Sequence, residues 1–423
     1  MHVAAVQRRT LSVLFATQVI GGVGSAIGAS VGALLAADIA GVGLSGVAQS
    51  ANVIGAALFA VPATAIVHRR GRRPSLAAGY GAAAVGALIV FTAALQRSVP
   101  LLFLGFFLFG GATAAGFQAR YAAVDLAPVA LRGRHLSLIV WGTTLGAVVG
   151  PSLAAAAGTA VARYGAPTIA GPFFFSASLF TLATLLLLLL LRPDPAVVAR
   201  ELNAGTGAAV GAPAGAGMGA ALRAVAGHTS ARLGVIAMAT GHLVMVGVMA
   251  MTPVHIRSAG HDAARTLSIV GVVLSLHIAG MFAFAPVMGW LTDWLGGRHV
   301  VMAGIAFLLG ACAVAGTAGH DSVRLALGMM LLGLGWSGTM VAGSTLLSES
   351  VPIELKASAQ GLSDLVMGLA GATAGAISGL ILEGWGYPRL TLLAALATAP
   401  LLLVLKWSVE VPDEVKVSAL PRR

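Results

Sequence analysis

Residues 238–256 read MATGHLVMVGVMAMTPVHI and residues 267–281 read LSIVGVVLSLHIAGM, with a short polar segment between them. Each stretch is almost entirely apolar, and a helix needs about 20 such residues to cross the hydrocarbon core of a bilayer. Because the connection is short, we expect two antiparallel helices that face each other. The stretch therefore predicts a transmembrane hairpin, and the same pattern recurs along the whole chain.

The composition is that of a membrane protein. Of the 423 residues, 58% are hydrophobic and 9% are charged, and the mean hydropathy is +0.94. A soluble domain carries about 25% charged residues. The net charge of +11 does not indicate a nucleic-acid partner, because membrane proteins concentrate basic residues in their cytoplasmic loops. The single cysteine, Cys312, excludes an internal disulfide and a thiolate metal cage, and we expect it to be a packing residue.

Twelve apolar stretches of spanning length can be counted. They lie at 11–37, 45–67, 75–95, 101–123, 137–159, 172–191, 233–256, 267–291, 300–318, 324–347, 359–382 and 390–407. A segment rich in Ala, Gly and Pro separates the sixth stretch from the seventh and is typical of a flexible linker. The sequence thus predicts an all-α membrane protein of twelve transmembrane helices in two six-helix halves. We place the N-terminal half at 1–192, a cytoplasmic linker at 193–232, and the C-terminal half with a short cytoplasmic tail at 233–423.

The basic residues predict the orientation. If both termini are cytoplasmic, 19 of the 25 Lys and Arg residues face the cytoplasm. The six others are Arg97, Arg163, Arg257, Arg265, Arg324 and Arg389. An excess of positive charge on cytoplasmic loops sets the topology of membrane proteins. We therefore expect a multi-pass protein of the cell inner membrane, with both termini in the cytoplasm.

The two halves repeat two loop patterns. Three residues of the fourth inter-helix loop recur loosely in the tenth: Asp125, Pro128 and Arg132 as Glu349, Pro352 and Lys356. Likewise, residues 68–73, HRRGRR, correspond to residues 292–298, TDWLGGR, at almost the same offset. Parallel repeats of six spans are a transporter architecture in which the binding site lies between the halves near mid-membrane.

Residues 289–298, GWLTDWLGGR, resemble the glycine, aspartate, glycine and basic-residue loop of the major facilitator superfamily. The resemblance implies that Asp293 and Arg298 tie helices together on the cytoplasmic side and separate during alternating access. The N-terminal copy has Thr64 and His68 at the first glycine and the aspartate. It keeps Gly71, Arg72 and Arg73. We expect a weaker or pH-dependent latch there; alternatively, these arginines only anchor helix ends.

Residues 146–151, GAVVGP, resemble a glycine-proline motif of drug antiporters in the same superfamily. Small residues four apart allow two helices to approach closely, and proline bends a helix. Close packing alone explains the motif, so it is only a weak indication of efflux.

Ionisable side chains within apolar spans are costly and are therefore candidates for function. Our gating and coupling set comprises Asp293, Arg298, Arg72, Arg73, His68, Asp125, Arg120 and Asp364. For Arg120 and Asp125 we favour a structural ion pair, or pairing with loop residues, over contact with cargo. Asp364, near the start of the eleventh span, suits either helix-start stabilisation or proton coupling. Three neutral residues either line a polar cavity or bond between helices: Gln18, Asn52 and Gln118.

The methionines are concentrated in the second half. Twelve of the thirteen lie beyond residue 217, and six of those fall between Met238 and Met288. Methionine commonly fills gaps in cores, which explains any single one. Two of them, however, stand four residues apart on the seventh span, and a histidine and a methionine do the same on the eighth. The four are Met245, Met249, His277 and Met281.

Residues at i and i+4 lie on one face of a helix, so each of these pairs presents two side chains to the same neighbour. Both pairs fall near the bilayer centre, where a histidine without a partner is costly. Thioether and imidazole ligands favour Cu(I) over hard cations. His242, three residues before Met245, extends the stripe and is a fifth candidate ligand. The pattern predicts a copper site, although hydrogen bonding alone remains the alternative for each histidine.

The motifs Met-x3-Met and His-x3-Met also resemble the copper-uptake branch of the major facilitator superfamily, the CcoA-like importers that supply cytochrome oxidase assembly. The resemblance implies that Met245, Met249, His277 and Met281 bind the transported copper. Our leading hypothesis is secondary active import of copper by alternating access. The alternative is a proton-coupled exporter of a small organic molecule or drug.

The expected partners are the copper ion, as cargo, and the lipid bilayer. We expect a monomer without a resident cofactor. Enzyme activity is not expected, because the sequence has no HExxH motif, no paired carboxylates at one depth and no Ser/His dyad at a recognisable spacing.

Overall fold

A computed structural model of the chain describes residues 3–128, 131–205, 218–352 and 355–410. Part of the expected linker, residues 206–217, and the tail from residue 411 lie outside the described residues. The helices are α1 (Val3–Ala40), α2 (Val42–Arg70), α3 (Arg72–Gln96), α4 (Val99–Ala122), α5 (Arg132–Val149), α6 (Ala154–Ala162), α7 (Gly171–Leu190), α8 (Pro195–Gly205), α9 (Met218–Gly227), α10 (Thr229–Arg257), α11 (Ala263–Phe282), α12 (Ala285–Leu295), α13 (Gly297–Gly316), α14 (Ser322–Ser350), α15 (Lys356–Leu396) and α16 (Ala399–Glu410).

The predicted all-α membrane fold of about twelve spans is confirmed. Within the described ranges, 11 helical segments are long and apolar enough to cross a membrane. The last of these, Ser358–Leu405, contains two of the predicted spans. The chain kinks inside it at Gly386, whose φ is 79°, and then continues as helix. A positive φ of this kind favours glycine, since other residues are strained there.

Three spans are interrupted beside prolines, and the last of these breaks separates α15 from α16, where Pro400 follows the first residue of α16. Helix α5 ends at Val149, a 3-10 turn follows at Pro151–Leu153, and α6 completes the span. This interruption agrees with the bend expected from the glycine-proline motif. A second break, not expected from the sequence, separates α11 from α12, where Pro286 follows the first residue of α12. Proline accounts for these breaks because it lacks an N–H and its ring clashes with the carbonyl of the preceding turn.

The helices of the two halves bury different kinds of side chain. In the N-terminal half, Phe109 packs edge-to-face on Phe173 and Phe180, with ring centroids 6.2 and 5.2 Å apart. In the C-terminal half, buried methionines pack among aliphatic side chains in one cluster: Met245, Met251, Met281 and Met329. Gap filling by flexible thioethers therefore accounts for part of the uneven methionine distribution.

The repeated loops occupy matching turns. Gly71 lies between α2 and α3 with φ 97°, and Gly296 lies between α12 and α13 with φ 84°. Each of these glycines permits the sharp reversal from one helix into the next. The segments 68–73 and 292–298, aligned from the sequence, thus adopt the same local backbone.

The small residues of the glycine-proline motif hold α5 against α1. A Cβ added to Gly146 would overlap the backbone carbonyl oxygen of Val19, and a Cβ on Gly22 would lie 2.8 Å from the carbonyl oxygen of Thr143. The two helices therefore cross with their backbones in contact.

Gly146→Leu is expected to lower the melting temperature and the monodisperse yield of the purified protein. Overpacking costs about 1–3 kcal/mol, and more where the obstacle is backbone. Gly310→Leu is the matched control, since it is also within a helix but has no neighbour within 4 Å of its added Cβ. Equal melting temperatures for the two variants would contradict the close crossing.

Candidate functional site

A pocket of about 240 Å³ opens inside the N-terminal half, between α1, α4 and α5. Gln18 of α1 lies at its centre. The Tyr80 hydroxyl donates to Gln18 Oε1 at 2.6 Å, and the Gln18 amide donates to the Gly116 carbonyl at 3.2 Å and to the Thr143 hydroxyl at 3.1 Å. Gln18 has both of the roles expected for it, because it lines the pocket and its hydrogen bonds join four spans.

Arg120 of α4 also lines this pocket. Its guanidinium carbon lies 5.0 Å from the ring centroid of Phe117, and its Nε is buried without a hydrogen-bond partner among the described residues. Asp125 pairs instead with Arg72, through Nε at 2.8 Å and Nη2 at 3.0 Å. Asp125 thus has the pairing with a residue of a loop motif that was one of the two expectations, whereas Arg120 forms no ion pair within the described residues. Asp125 lies past the end of α4, and its partner Arg72 is the first residue of α3.

The turn between α2 and α3 is clamped by a second carboxylate, that of Asp194. The backbone N–H of Arg72 donates to it at 3.1 Å and that of Arg73 at 2.7 Å. Gly71 makes room, because a Cβ there would overlap this carboxylate. The side chain of Arg72 also donates to Gln118 Oε1 at 2.9 Å. The motif thus ties α3 to α4 and to the segment that follows α7.

Asp194 was not selected from the sequence. Its Oδ1 also accepts the N–H of Ala196 at 2.9 Å, at the start of α8. An aspartate just before a helix is the usual signal of an N-cap, and this signal was available in residues 193–197. Its second role, 121 residues away at Arg73, was not visible in the local pattern.

The other latch residues are less engaged in this structure. His68 is exposed, and its backbone carbonyl accepts from Arg200 Nη1 at 2.7 Å. Asp293 is exposed and Arg298 half-buried, and neither forms an ion pair within the described residues. The N-terminal turn, expected to be the weaker latch, is here the one that is tied. The pH dependence expected at His68 stays a prediction.

The two halves meet at the end of the bundle that carries the α1–α2 turn, which we call the Asp38 end. Asp38 accepts from Arg97 of its own half at 3.0 Å and from Arg257 of α10 at 2.6 Å. Both arginines are largely solvent-exposed, and such ion pairs contribute about 0–1 kcal/mol each. The bridge marks the contact between the halves rather than supplying most of its energy.

A backbone crossing of α2 with α15 closes the same end more tightly. A Cβ on Gly46 would overlap the carbonyl oxygen of Gly375, and a Cβ on Gly379 would lie 2.7 Å from the carbonyl oxygen of Gly43. The hydroxyl of Ser50 donates to the Ala372 carbonyl at 2.9 Å. Glycines on both helices allow this close approach, as in other small-residue helix contacts.

At the opposite end, which carries Asp194 and which we call the linker end, the facing charges of the halves stay apart. Asp364 of α15 is exposed and forms no ion pair with Arg120 within the described residues. Asp364 lies two turns into α15, beyond the first turn where a helix dipole stabilises a carboxylate. The structure is therefore closed at the Asp38 end, with Arg120 and Asp364 separated.

His277 is fully buried between α11 and α14. Its Nδ1 lies 2.8 Å from the backbone carbonyl oxygen of Met329. A carbonyl only accepts, so Nδ1 carries the hydrogen, and the lone pair of the neutral ring is on Nε2. Nε2 is buried and has no partner among the described residues. The lone pair of Nε2 is therefore available to coordinate a metal ion or to accept a hydrogen bond from a ligand.

The thioethers proposed as ligands belong to the buried cluster on this side of the half. Met245 and Met281 are buried within it, and Met249 packs against it half-buried. The helices that carry them do not face each other along their length as expected. Helix α11 packs mainly on α14, where Gly280 and Gly333 meet, whereas α10 packs on both α15 and α14. The glycines of α11 and α14 determine this helix pairing. The short connection between α10 and α11 did not indicate it.

His242 has the opposite arrangement to His277. Trp336 Nε1, which can only donate, lies 3.1 Å from His242 Nδ1. The lone pair of Nδ1 is therefore occupied, and the hydrogen of the neutral ring is on Nε2. His242 has no free lone pair, so the structure places it as a hydrogen-bonding residue rather than a ready ligand.

No group of three or more His, Cys, Asp or Glu side chains in the described part of the chain could hold a metal ion. A metal site in this half would therefore depend on thioether ligands around His277. The hard-ligand cages that bind Ca²⁺ or Mg²⁺ do not occur among these residues.

Comparison with known proteins agrees with this architecture. The family model of the Major Facilitator Superfamily matches residues 10–273 and 260–422. The chain is 36% identical over 407 residues to YdeG of Bacillus subtilis, described as an uncharacterized MFS-type transporter, covering 95% of this chain and 92% of YdeG. It is 26% identical over 420 residues to the riboflavin transporter RfnT of Brucella anthropi, covering 95% and 97%.

The fold matches a solved transporter as well. The crystal structure of the nucleoside transporter NupG superimposes with a TM-score of 0.74 over 97% of this chain and 100% of that chain, at 16% identity. This likeness shows the fold alone. The family match and the identity to YdeG lead to one conclusion: the chain belongs to the Major Facilitator Superfamily and is a multi-pass membrane transporter.

Proposed function

We propose that this transporter carries Cu(I) across the cytoplasmic membrane by alternating access, with His277 as the central ligand. The observation that carries the proposal is the ring of His277, whose Nδ1–H is held by a backbone carbonyl while Nε2 is buried and unpartnered. Metal-binding histidines usually donate their other N–H to a carbonyl or carboxylate, which fixes the tautomer and the ring orientation.

The neighbouring side chains suit a soft cation. The thioethers of Met245 and Met281 belong to the buried cluster that also contains Met329, whose carbonyl accepts from His277, and Met249 lies at the edge of that cluster. Neutral thioether and imidazole donors favour Cu(I) over Mg²⁺ or Ca²⁺. They also release the ion more readily than a closed thiolate cage, as a transporter requires.

The proposed direction is inward. We propose, from the positive-inside rule, that the linker end is cytoplasmic; the Asp38 end, where α2 and α15 are in contact, is then the outer side. Copper enters from the Asp38 end, binds beside α14 and leaves when the halves rock about the site. From the resemblance to CcoA-like importers, we propose that the copper supplies cytochrome oxidase assembly.

Copper accumulation in cells tests the proposal. Cells expressing the wild-type chain should accumulate more copper than cells carrying an empty vector, and Met245→Ala and His277→Ala should each remove most of the gain. Metal content is measured by mass spectrometry, with protein levels matched by immunoblot. A full gain in both variants would contradict the proposal.

Export of a small organic molecule is the second candidate, and two observations favour it. The pocket around Gln18 and Arg120 is largely apolar, with Tyr80 and Phe117 among its lining residues, and the relative RfnT is a riboflavin transporter. Retention of a fluorescent dye in a deletion strain, unaffected by copper, would select this candidate.

A further inference from the structure

Arg120 is the only charged side chain that lines the pocket in the N-terminal half. Its polar neighbours there, such as Gln18 and Thr143, are neutral and bond to one another or to backbone. The acidic residues in ion pairs within the described residues, Asp38 and Asp125, are bound to other arginines. A guanidinium thus lines a largely apolar pocket without an ion pair in the described part of the chain, and its Nε has no acceptor there. A guanidinium without a hydrogen-bond acceptor in an apolar pocket costs free energy unless a bound ligand supplies the acceptor.

We propose that this pocket binds a small organic carboxylate that carries one flat ring. The planar guanidinium presents donors in a fork that matches the two oxygens of a carboxylate. Phe117, whose ring lies under the guanidinium and is 51% exposed, offers a flat apolar face beside that fork. The cavity of about 240 Å³ is smaller than those that hold drug-sized molecules, about 300–1,000 Å³.

The site is independent of the copper ligands. It lies in the N-terminal half, whereas His277 and the proposed thioethers lie in the C-terminal half. The inference therefore goes beyond the copper proposal, and it names the chemical class of ligand that an organic cargo would have.

Asp364 gives the site a means of release. It belongs to the other half, is exposed, and forms no ion pair with Arg120 within the described residues. Closing the linker end brings the Asp364 carboxylate towards the guanidinium, where it competes with a bound carboxylate. Carboxylate binding and closure of the linker end are thereby coupled through the guanidinium of Arg120.

The test is calorimetric titration of the purified full chain in detergent with benzoate and with benzamide, its neutral analogue. Benzoate is expected to bind at least tenfold more tightly than benzamide. Arg120→Gln should weaken benzoate binding at least tenfold, whereas Arg163→Gln, which removes an exposed arginine elsewhere, should leave it unchanged. Asp364→Asn should strengthen benzoate binding severalfold, because the competing carboxylate is gone.

Three results would overturn the site: no benzoate binding by the wild type, equal affinity for benzoate and benzamide, or unchanged benzoate affinity in a folded Arg120→Gln variant. If that variant does not fold, Asp364→Asn decides, and an unchanged affinity overturns the proposal. Equal competition by inorganic phosphate would show a general anion site and would also overturn it. His277→Ala should bind benzoate normally, so this proposal and the copper proposal fail separately.

Discussion

A leucine in place of Gly46 is expected to abolish transport while leaving the protein folded. Gly46 of α2 lies against the backbone of Gly375 in the other half, so any side chain there holds the two halves apart at the Asp38 end. That contact opens in the transport cycle, and the helices on each side keep their own cores. Gly146 differs, because its crossing with α1 lies within one half and is needed for folding.

Cysteine labelling measures the expected separation of the two halves at the Asp38 end. A cysteine at Ser50, which bonds to Ala372 across the contact, should react slowly with a membrane-impermeant maleimide when Gly46 is intact and rapidly in the Gly46→Leu variant. The native Cys312 is buried and gives little background. Slow labelling together with normal transport in Gly46→Leu would contradict the account of closure. The ion pairs of Asp38 matter less, at about 0–1 kcal/mol each.

Replacing His277 by alanine is expected to weaken Cu(I) binding at least about a hundredfold, because loss of a ligand exceeds the 10–100-fold effect of losing a supporting group. His242→Ala should change the affinity little. The two histidines lie on neighbouring spans but differ in their hydrogen bonds. Trp336 donates to the lone pair of His242, whereas the Nδ1–H of His277 donates to a carbonyl and leaves the Nε2 lone pair without a partner. Competition with a colorimetric Cu(I) chelator measures both affinities.

The thioether contribution can be separated from packing. Met281→Leu nearly conserves side-chain volume, so it should cost under about 1.5 kcal/mol of stability. It removes the sulfur, and Cu(I) affinity should therefore fall. Met302→Leu, at an exposed position, is the control. A Met281→Leu variant with wild-type Cu(I) affinity would exclude Met281 from the ligand set.

The apolar stretches were sufficient to predict the fold class, because a spanning helix is recognised by its length and composition alone. The bend at Pro151 was predictable for a similar reason, since proline cannot continue a helix without loss. Helix partners were not predictable in this way. The contact of α11 with α14 depends on Gly280 meeting Gly333, which are 53 positions apart in the sequence.

In the candidate site, too, some features were predictable from the sequence and others were not. Spacing selected His242 and His277 together, but their opposite tautomers depend on a tryptophan and a carbonyl of α14. Likewise, Arg120 and Asp125 are close in sequence, yet Asp125 meets Arg72 because both lie at the turn ends of their helices. Chemical type could be read from the sequence, whereas the partner of each group required the tertiary structure.

Transport by the purified protein in lipid vesicles tests the central claim most directly. Vesicles containing the wild-type chain and an internal Cu(I)-responsive dye should fill with Cu(I) faster than empty vesicles, and vesicles with His277→Ala should fill at the empty rate. Equal rates for wild-type and empty vesicles, or full activity of His277→Ala, would contradict Cu(I) as the cargo bound at His277.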